Sequence, residues 1–195
     1  MKKRIEIAIP DPAFLTGQIL IAMPKMSDPR FAQTVIFICA HTPDGAMGIV
    51  LNRPSRETEF TDLLKQLDIT PVPPVRDIRL GAGGPVETHR GFVLHSTDWL
   101  TDGSLEVNDH YVLTASLEII RAIASGGGPR HGFFAMGYAG WGPGQLDEEI
   151  LQNAWLNIPA DEALVFDDEY PTKWTRALAK LRIDPAMLSS QAGRA

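Results

Sequence analysis

The chain has 195 residues, of which 44% are hydrophobic and 22% charged, and its formal net charge is −6. A chain of this length buries roughly 70% of its unfolded surface, which is enough for one core without metals or disulfides. Its single cysteine, Cys39, excludes an internal disulfide, and no apolar run approaches the roughly 20 residues that a membrane-spanning helix needs. We expect one domain, residues 15–195, behind an N-terminal arm, residues 1–14.

The N-terminal residues argue against secretion. The stretch "MKKRIEIAIPDPAF" is basic at its tip, yet its apolar part is short and contains Asp11 and two prolines, unlike a secretory signal. Because no membrane span is predicted either, we expect a cytoplasmic protein.

The negative charge is concentrated in one segment. Between Gln145 and Glu169 there are eight acids and no Lys or Arg, so this segment has a formal charge of −8. Because the net charge of the whole chain is −6, the remaining residues together carry +2. Nucleic-acid binding usually needs a basic stripe, and a pI near 5.3 without such a cluster argues against direct contact with nucleic acid. The acidic segment is interpreted as a solvated face, with a docking surface for a basic partner as the alternative.

The first half of the chain predicts strands and one helix. The apolar runs "GQILIAMP" (17–24) and "TVIFICA" (34–40) are typical of buried strands. A turn and the run "AMGIVLN" (46–52) follow, so residues 34–52 predict a β-hairpin. In "TEFTDLLKQL" the apolar residues recur at i, i+3, i+4 and i+7, which predicts an amphipathic helix with Thr58 as its cap.

The second half interleaves strands and helices irregularly, which favours a single mixed α+β domain over a doubly wound parallel sheet. The predicted strands are "RDIRLGAGGPV", which ends in a glycine turn, "GFVLHS", "LEVND", "HYVLTAS", "HGFFAMGY" and "EALVF". The predicted helices are "SLEIIRAIAS", "QLDEEILQNAWL" and "PTKWTRALAKL", the last starting at Pro171 with Trp174, Leu178 and Leu181 on one face.

The glycine-rich stretch "GYAGWGPGQLDEEI" (137–150) is predicted to link a strand to a helix, as nucleotide-binding loops do. It has no Lys-Ser/Thr after its last glycine, and its glycines do not fit G-x-G-x-x-G. Three acids follow in the predicted first turn, where each would repel a phosphate by about 2–3 kcal/mol against about 0.3–1 kcal/mol of dipole attraction. A corner packed by Trp141 is favoured, then a pocket wall for a neutral or cationic ligand, and least a phosphate cradle.

Cys39 and His41 are the candidate catalytic pair. On an extended strand their side chains share a face about 6–7 Å apart, too far for a direct hydrogen bond unless the strand bends. A core cysteine and a polar strand end are the simpler interpretation, and a Cys–His hydrolase is the alternative. The five histidines lack metal-ligand spacing, so neither a metal nor a cofactor is predicted.

Asn52 and Arg53 end the third predicted strand, and Gly84 lies in a second glycine turn. Polar groups at strand ends beside glycine turns are where a small-molecule cleft is expected. The simpler interpretation is that Asn52 caps a turn and Arg53 forms a surface ion pair. The predicted surface for binding a protein or small ligand comprises Asn52, Arg53, Gly84, His95, Trp141 and Gln145.

Several long motifs in order resemble the AlgH/YqgE family of bacterial proteins: "GAMGIVLNRP", "GGPV" with "GFVLH", and "GYAGWGPGQLDEEI" with "NAWL". The resemblance runs from about Leu15 to the C-terminal tail. It implies a compact α+β domain with a bifurcated, partly barrel-like sheet surrounded by helices. Two departures are Asp147, where Glu is usual, and Arg182, where Gly is common and would suit a left-handed helix end.

The family's naming implies a transcriptional regulator, and the family brings no assigned catalytic or cofactor-binding residues. Because the charge argues against DNA contact, we expect regulation through a protein or a small molecule. The leading prediction is a non-enzymatic cytoplasmic regulator or adaptor, and the alternative is the hydrolase using Cys39 with His41.

Overall fold

Nine strands and five helices form in residues 14–56, 58–74 and 76–185, the part of the chain that the computed structural model describes. The predicted arm therefore lies outside the described residues except for Phe14. The strands are β1 (Gln18–Ala22), β2 (Val35–Thr42), β3 (Gly45–Val50), β4 (Arg79–Ala82), β5 (Val86–Ser96), β6 (Ser104–Glu106), β7 (Tyr111–Thr114), β8 (Gly132–Trp141) and β9 (Trp155–Pro159). The helices are α1 (Phe60–Gln66), α2 (Leu117–Ala124), α3 (Gln145–Leu151), α4 (Glu162–Phe166) and α5 (Tyr170–Lys180).

The strands form one curled sheet in the order β6-β7-β5-β8-β3-β2-β1-β9, with antiparallel neighbours throughout. The sheet forks at β8, because one edge of this strand pairs with two partners. Its first half pairs in parallel with β4, and its second half pairs with β3. The mixed, bifurcated sheet implied by the family resemblance is thereby confirmed.

Beyond the fork, the chain that leaves β3 runs along the far side of β4. The amide of Val50 donates to the carbonyl of Gly83 at 2.9 Å, that of Ala82 to Arg53 at 2.8 Å, and that of Ser55 to Leu80 at 2.8 Å. These bonds satisfy the outer edge of β4. They also hold residues 50–55 against the outer edge of β4, and several of these residues line the site described below.

The sheet is covered on both sides, so its central strand is buried on both faces. Val35, Phe37 and Cys39 of β2 pack into the cluster that contains α4 and α5, while Ile36 and Ile38 pack on the opposite face against Trp141 and Trp155. A strand enclosed in this way has a continuous apolar run rather than an alternating one. A third cluster lies between α1, α2 and the forked part of the sheet.

The predicted hairpin is confirmed by the antiparallel pairing of β2 with β3. Helices α1, α2 and α5 also lie where they were predicted, and Pro171 stands in the first turn of α5. Two details were wrong. The cap of α1 is Glu59, whose amide donates to Asp62 at 3.4 Å, and not Thr58. Leu181 is 38% exposed, so it does not share the buried face of Trp174 and Leu178.

The helix predicted over "QLDEEILQNAWL" was wrong in its second half. Helix α3 ends at Leu151, Asn153 has a left-handed φ of 57°, and Trp155–Pro159 is strand β9, paired with β1. An Asn in this conformation is a common helix stop, and it is the signal that the helical interpretation passed over.

The strand predicted for "EALVF" was also wrong, because these residues form helix α4. The Asp161 carboxylate accepts a hydrogen bond from the Leu164 amide at 2.9 Å and so caps the helix. A five-residue apolar run does not by itself distinguish strand from helix, and here the cap decides.

Arg182, the departure from the family pattern, has a φ of 57°. Its amide donates to Ala179 at 2.9 Å, and that of Ile183 donates to Leu178 at 3.2 Å, so the chain after α5 closes with a left-handed residue even without glycine.

Candidate functional site

The glycine-rich stretch 137–150 forms a tight corner, which is the interpretation favoured from the sequence. Strand β8 continues to Trp141, where it pairs with Ala46 of β3, and α3 begins at Gln145, so the connection is only residues 142–144. The Gly142 amide donates to Oε1 of Gln145 at 2.9 Å. The prediction that the strand ended near Tyr138 was wrong, because the glycines at 137 and 140 lie within the strand.

The interior of the corner is organised by the carboxylate of Glu149. It accepts hydrogen bonds from the indole Nε1 of Trp141 at 2.9 Å, from Nε1 of Trp155 at 2.7 Å and from Nε2 of Gln145 at 2.9 Å. Both indoles are buried, and their rings lie edge to face with centroids 6.0 Å apart. Trp141 and Gln145 are therefore engaged in internal contacts, and of the three acids only Asp147 and Glu148 remain exposed.

Gly84 and His95 also serve internal contacts. Gly84 has a φ of 152°, and a Cβ there would lie 2.1 Å from the carbonyl carbon of Tyr138, so it permits close approach of two backbones. His95 is fully buried, and its ring nitrogens lie 2.8 Å from the Ser96 carbonyl and 2.8 Å from the Thr114 hydroxyl. Burial lowers the pKa of His95, which favours the neutral ring, with Nδ1 donating to the carbonyl and Nε2 accepting from the hydroxyl.

Asn52 and Arg53 connect the end of β3 to the chain before β2. Asn52 Oδ1 accepts from the Val35 amide at 2.9 Å, Asn52 Nδ2 donates to the Gln33 carbonyl at 2.8 Å, and Nη2 of Arg53 donates to the Ala32 carbonyl at 2.6 Å. The side-chain amide of Asn52 thus continues the hydrogen-bond ladder between β2 and β3 past the end of β3. Arg53 uses one of five N–H donors in this contact, and no carboxylate of the described residues lies within ion-pair distance of it.

A groove of about 610 Å³ opens at the fork, between α1, β4, β8 and the chain that follows β3. Its lining has an apolar part, formed by Leu63, Leu80, Phe134 and Met136, and a polar part. The polar part comprises Asn52, Arg53, Ser55, Arg56, Thr58 and Gln66. Of the six predicted site residues, only Asn52 and Arg53 line this groove, and no Asp or Glu does so among the described residues.

The sequence reasoning missed the other groove residues. Arg56 follows Arg53 by three positions, and Phe134 and Met136 lie two positions apart on one predicted strand, so their side chains share a face. Both patterns can be recognised in the sequence. Neither pattern indicated a shared surface, because their meeting depends on β4 lying between β8 and residues 50–55.

The candidate pair Cys39 and His41 is arranged for packing. Cys39 is 1% exposed, and its Sγ lies 3.8 Å from the Phe37 carbonyl. The His41 ring accepts at Nδ1 from the Leu15 amide at 3.1 Å, and its Nε2 lies 3.6 Å from Asp147. Burial raises the pKa of the Cys39 thiol, and a buried thiol kept protonated is a poor nucleophile. This geometry argues against the hydrolase alternative.

We expect Cys39 to be unreactive in the native protein. Labelling by a disulfide reagent at pH 8 should be about 100-fold slower, or slower still, than in denaturant, because the thiol must first be exposed by unfolding. Rapid native labelling that titrates well below the ordinary pKa of about 8.5 would restore the hydrolase alternative.

In the described part of the chain, no three or more His, Cys, Asp and Glu side chains are placed to hold a metal ion. Across those same residues, none of the helices combines the length and the apolar character needed to cross a bilayer.

The fold is that of a single α+β domain, in which a curled, half-barrel antiparallel sheet carries five helices within the described residues. The sequence profile of a family described as AlgH-like matches residues 19–186. The chain belongs to this AlgH-like family, which confirms the resemblance read from the motifs.

Relatives and solved structures agree with this assignment. A UPF0301 protein of Rhodospirillum rubrum is 54% identical over 182 residues, covering 93% of this chain and 95% of its own. A UPF0301 protein of Rhizobium meliloti is 52% identical over 202 residues, covering 100% of both. The solution structure of the AlgH protein from Pseudomonas aeruginosa superposes with a TM-score of 0.76 at 42% identity, over 96% of this chain and 99% of that one. The crystal structure of a protein from Corynebacterium diphtheriae shows the same fold, with a TM-score of 0.69 at 21% identity, over 91% of this chain and 92% of that one.

Proposed function

We propose that this protein is a cytoplasmic regulator or adaptor that acts by binding, and that the groove at the fork of the sheet holds a small ligand or a short segment of a partner protein. The observation that carries the proposal is the groove itself. Its volume of about 610 Å³ falls within the roughly 300–1,000 Å³ of small-molecule sites, and it combines an apolar floor with a few polar groups.

The construction of the groove supports binding with little rearrangement. Residues 50–55 are held by backbone hydrogen bonds to β4, and Arg53 is tethered to the Ala32 carbonyl. Polar groups held on strand ends lose little conformational freedom when a ligand arrives, which favours affinity. If the protein regulates transcription, as the naming of its family suggests, the charge argues that it does so through this bound ligand or partner and not by contacting DNA.

The charged residues support the same conclusion. Five described arginines, Arg30, Arg79, Arg90, Arg130 and Arg176, have a carboxylate within 4.0 Å, so much of the positive charge is neutralised within the chain. DNA binding by counterion release needs several unpaired cations along one surface.

Filling the groove should abolish binding without unfolding the protein. Ala82 lines the groove and is exposed, so Ala82→Trp places an indole in the binding space without entering the core. We expect Ala82→Trp to lower by about ten-fold the amount of ligand or partner that the protein retains, since the two cannot occupy one space. The measurement is mass spectrometry of small molecules released from natively purified protein, together with cross-linking of partners in cells.

Ala179→Trp is the matched control, because Ala179 is exposed on α5 away from the groove. Both variants should keep the wild-type thermal midpoint within a few degrees. Equal retention by wild type, Ala179→Trp and Ala82→Trp would rule out the groove as the binding surface.

A further inference from the structure

We infer that the ligand of this groove is a small amphipathic oxyanion, with a carboxylate or phosphate head bound by Arg53 and Arg56 and an apolar tail on the floor between α1 and β8. This inference rests on the proposed function and names the chemical class of ligand. Three observations carry it: two arginines with no carboxylate partner among the described residues, a lining in which none of those residues is Asp or Glu, and an apolar floor shared with a second depression.

The two arginines carry charge that the described residues do not neutralise. Arg53 donates to a neutral carbonyl, and Arg56 makes no hydrogen bond or ion pair with a described residue. A guanidinium group offers five N–H donors and no acceptor. The two arginines stand three residues apart at one groove, so this groove presents two positive charges to a ligand.

The surroundings select an oxyanion over other partners. No Asp or Glu of the described residues lines the groove, so these residues supply no carboxylate to a cationic ligand. Guanidinium groups bind carboxylate and phosphate oxygens through paired, charge-assisted hydrogen bonds. Thr58 and Gln66 add neutral polar groups beside them, as expected around a charged head.

The floor extends far enough for an apolar tail. Leu63, Phe134 and Met136 line the groove and also a second depression of about 270 Å³, whose lining includes Leu67 and Ile120. The two depressions share these three residues, so the apolar side chains that line the groove also line a second space beside α1 and α2. A tail placed there would gain affinity about four-fold for each buried methylene.

The experiment is a calorimetric titration of the full chain with four eight-carbon probes: octanoate, octyl phosphate, 1-octanol and octylammonium. We expect one or both oxyanions to bind, 1-octanol to bind at least ten-fold more weakly and octylammonium not to bind. A stronger response to octyl phosphate would indicate a phosphate head, and a stronger response to octanoate a carboxylate head. Hexanoate should bind about 16-fold more weakly than octanoate because it is two methylenes shorter.

Arg56→Gln is the decisive variant, because Arg56 makes no described contact that holds the fold. It should weaken the better oxyanion about ten-fold and leave 1-octanol unchanged. Arg121→Gln is the matched control, since Arg121 is an exposed arginine of α2 that does not line the groove and has no carboxylate partner among the described residues. Chemical shifts of the methyl groups of Leu63 and Met136 should move on titration, and Ala82→Trp should suppress those shifts.

The outcomes separate this inference from the proposed function. Equal binding of 1-octanol and octanoate, or no effect of Arg56→Gln, would overturn the oxyanion class while leaving the groove as a binding site. Absence of binding by every probe, with retention in cells still sensitive to Ala82→Trp, would likewise reject the oxyanion and keep the function. Oxyanion binding with retention insensitive to Ala82→Trp would support the ligand class and reject the function.

Discussion

Replacement of Glu149 by alanine is expected to lower the free energy of unfolding by about 3 kcal/mol or more. The Glu149 carboxylate is the acceptor for the indole N–H groups of Trp141 and Trp155, both of which are buried. Its loss leaves two buried donors unsatisfied, each at a cost of about 1–3 kcal/mol. It also removes the acceptor for Nε2 of Gln145, so the corner between β8 and α3 loses a further hydrogen bond. Urea denaturation followed by tryptophan fluorescence measures the effect.

Two variants isolate the cause. Glu149→Gln keeps one carbonyl oxygen as an acceptor and should lose about half as much stability. Glu148→Ala removes an exposed acid one position earlier on the same helix and should cost no more than about 1 kcal/mol, the size of a helix-dipole contribution. Similar losses for Glu148→Ala and Glu149→Ala would show that helix charge, and not the indole contacts, holds this corner.

Asp167→Ala should destabilise the protein by about 3–5 kcal/mol, the typical cost of leaving a buried charge without its partner. Lys173 is fully buried, and its Nζ donates to the Leu164 carbonyl and to Asp167, with Nζ and Oδ1 2.9 Å apart. Arg176 holds the same carboxylate at 2.7 and 2.9 Å. Without Asp167 the ammonium of Lys173 keeps only carbonyl partners. Thermal and urea unfolding measure the loss.

The neighbouring acid provides the control. Asp168 pairs with Arg79 at the surface, where both side chains are 50% exposed, so Asp168→Ala should cost at most about 1 kcal/mol. The double variant Asp167→Ala, Lys173→Met should recover part of the stability, because it removes the uncompensated charge. A loss for Asp168→Ala equal to that for Asp167→Ala would contradict the assignment of the effect to Lys173.

The contribution of Asp167 should depend on pH in a defined direction. Burial alone would raise the pKa of Asp167, but hydrogen bonds from Arg176 and Lys173 outweigh burial and lower it below the ordinary 3.8. Burial lowers the pKa of Lys173 despite these contacts, so folding disfavours the charged form of Lys173. Of the two groups, only the Asp167 carboxylate has its charged form favoured by folding. The stabilisation from Asp167 is present above about pH 4 and is lost as the pH falls through its lowered pKa. The stability difference between wild type and Asp167→Ala should therefore shrink toward pH 2.

The predicted binding surface divides into two kinds of residue. Trp141, Gln145, Gly84 and His95 are engaged in packing and internal hydrogen bonds, and the simpler interpretation of the glycine stretch, a corner packed by Trp141, matches the observed geometry. Asn52 and Arg53 line a groove, although both also tether the chain before β2. Composition and spacing indicate that a polar residue at a strand end is special. They do not distinguish a ligand contact from a structural tether.

Local sequence patterns predicted a strand or helix correctly where the hydrophobic periodicity of that element identifies it. The apolar run of β2 indicated a strand enclosed on both faces, and the i, i+3, i+4, i+7 pattern located α1, because burial imposes these repeats on the elements themselves. The expectation from charge that this protein does not contact nucleic acid directly stays a prediction.

Tertiary structure alone decided the elements and surfaces that depend on distant partners. Trp155–Pro159 is a strand because it pairs with the edge of β1, nearly 140 positions earlier. Across that pairing, Nδ2 of Asn157 donates to Oε1 of Gln18 at 2.7 Å. The groove exists because β4 lies between β8 and the chain after β3, which brings Arg53 and Arg56 to the side chains of Phe134 and Met136. The local pattern of a segment does not specify which distant segment it pairs with, so these pairings become visible only when the sheet is assembled.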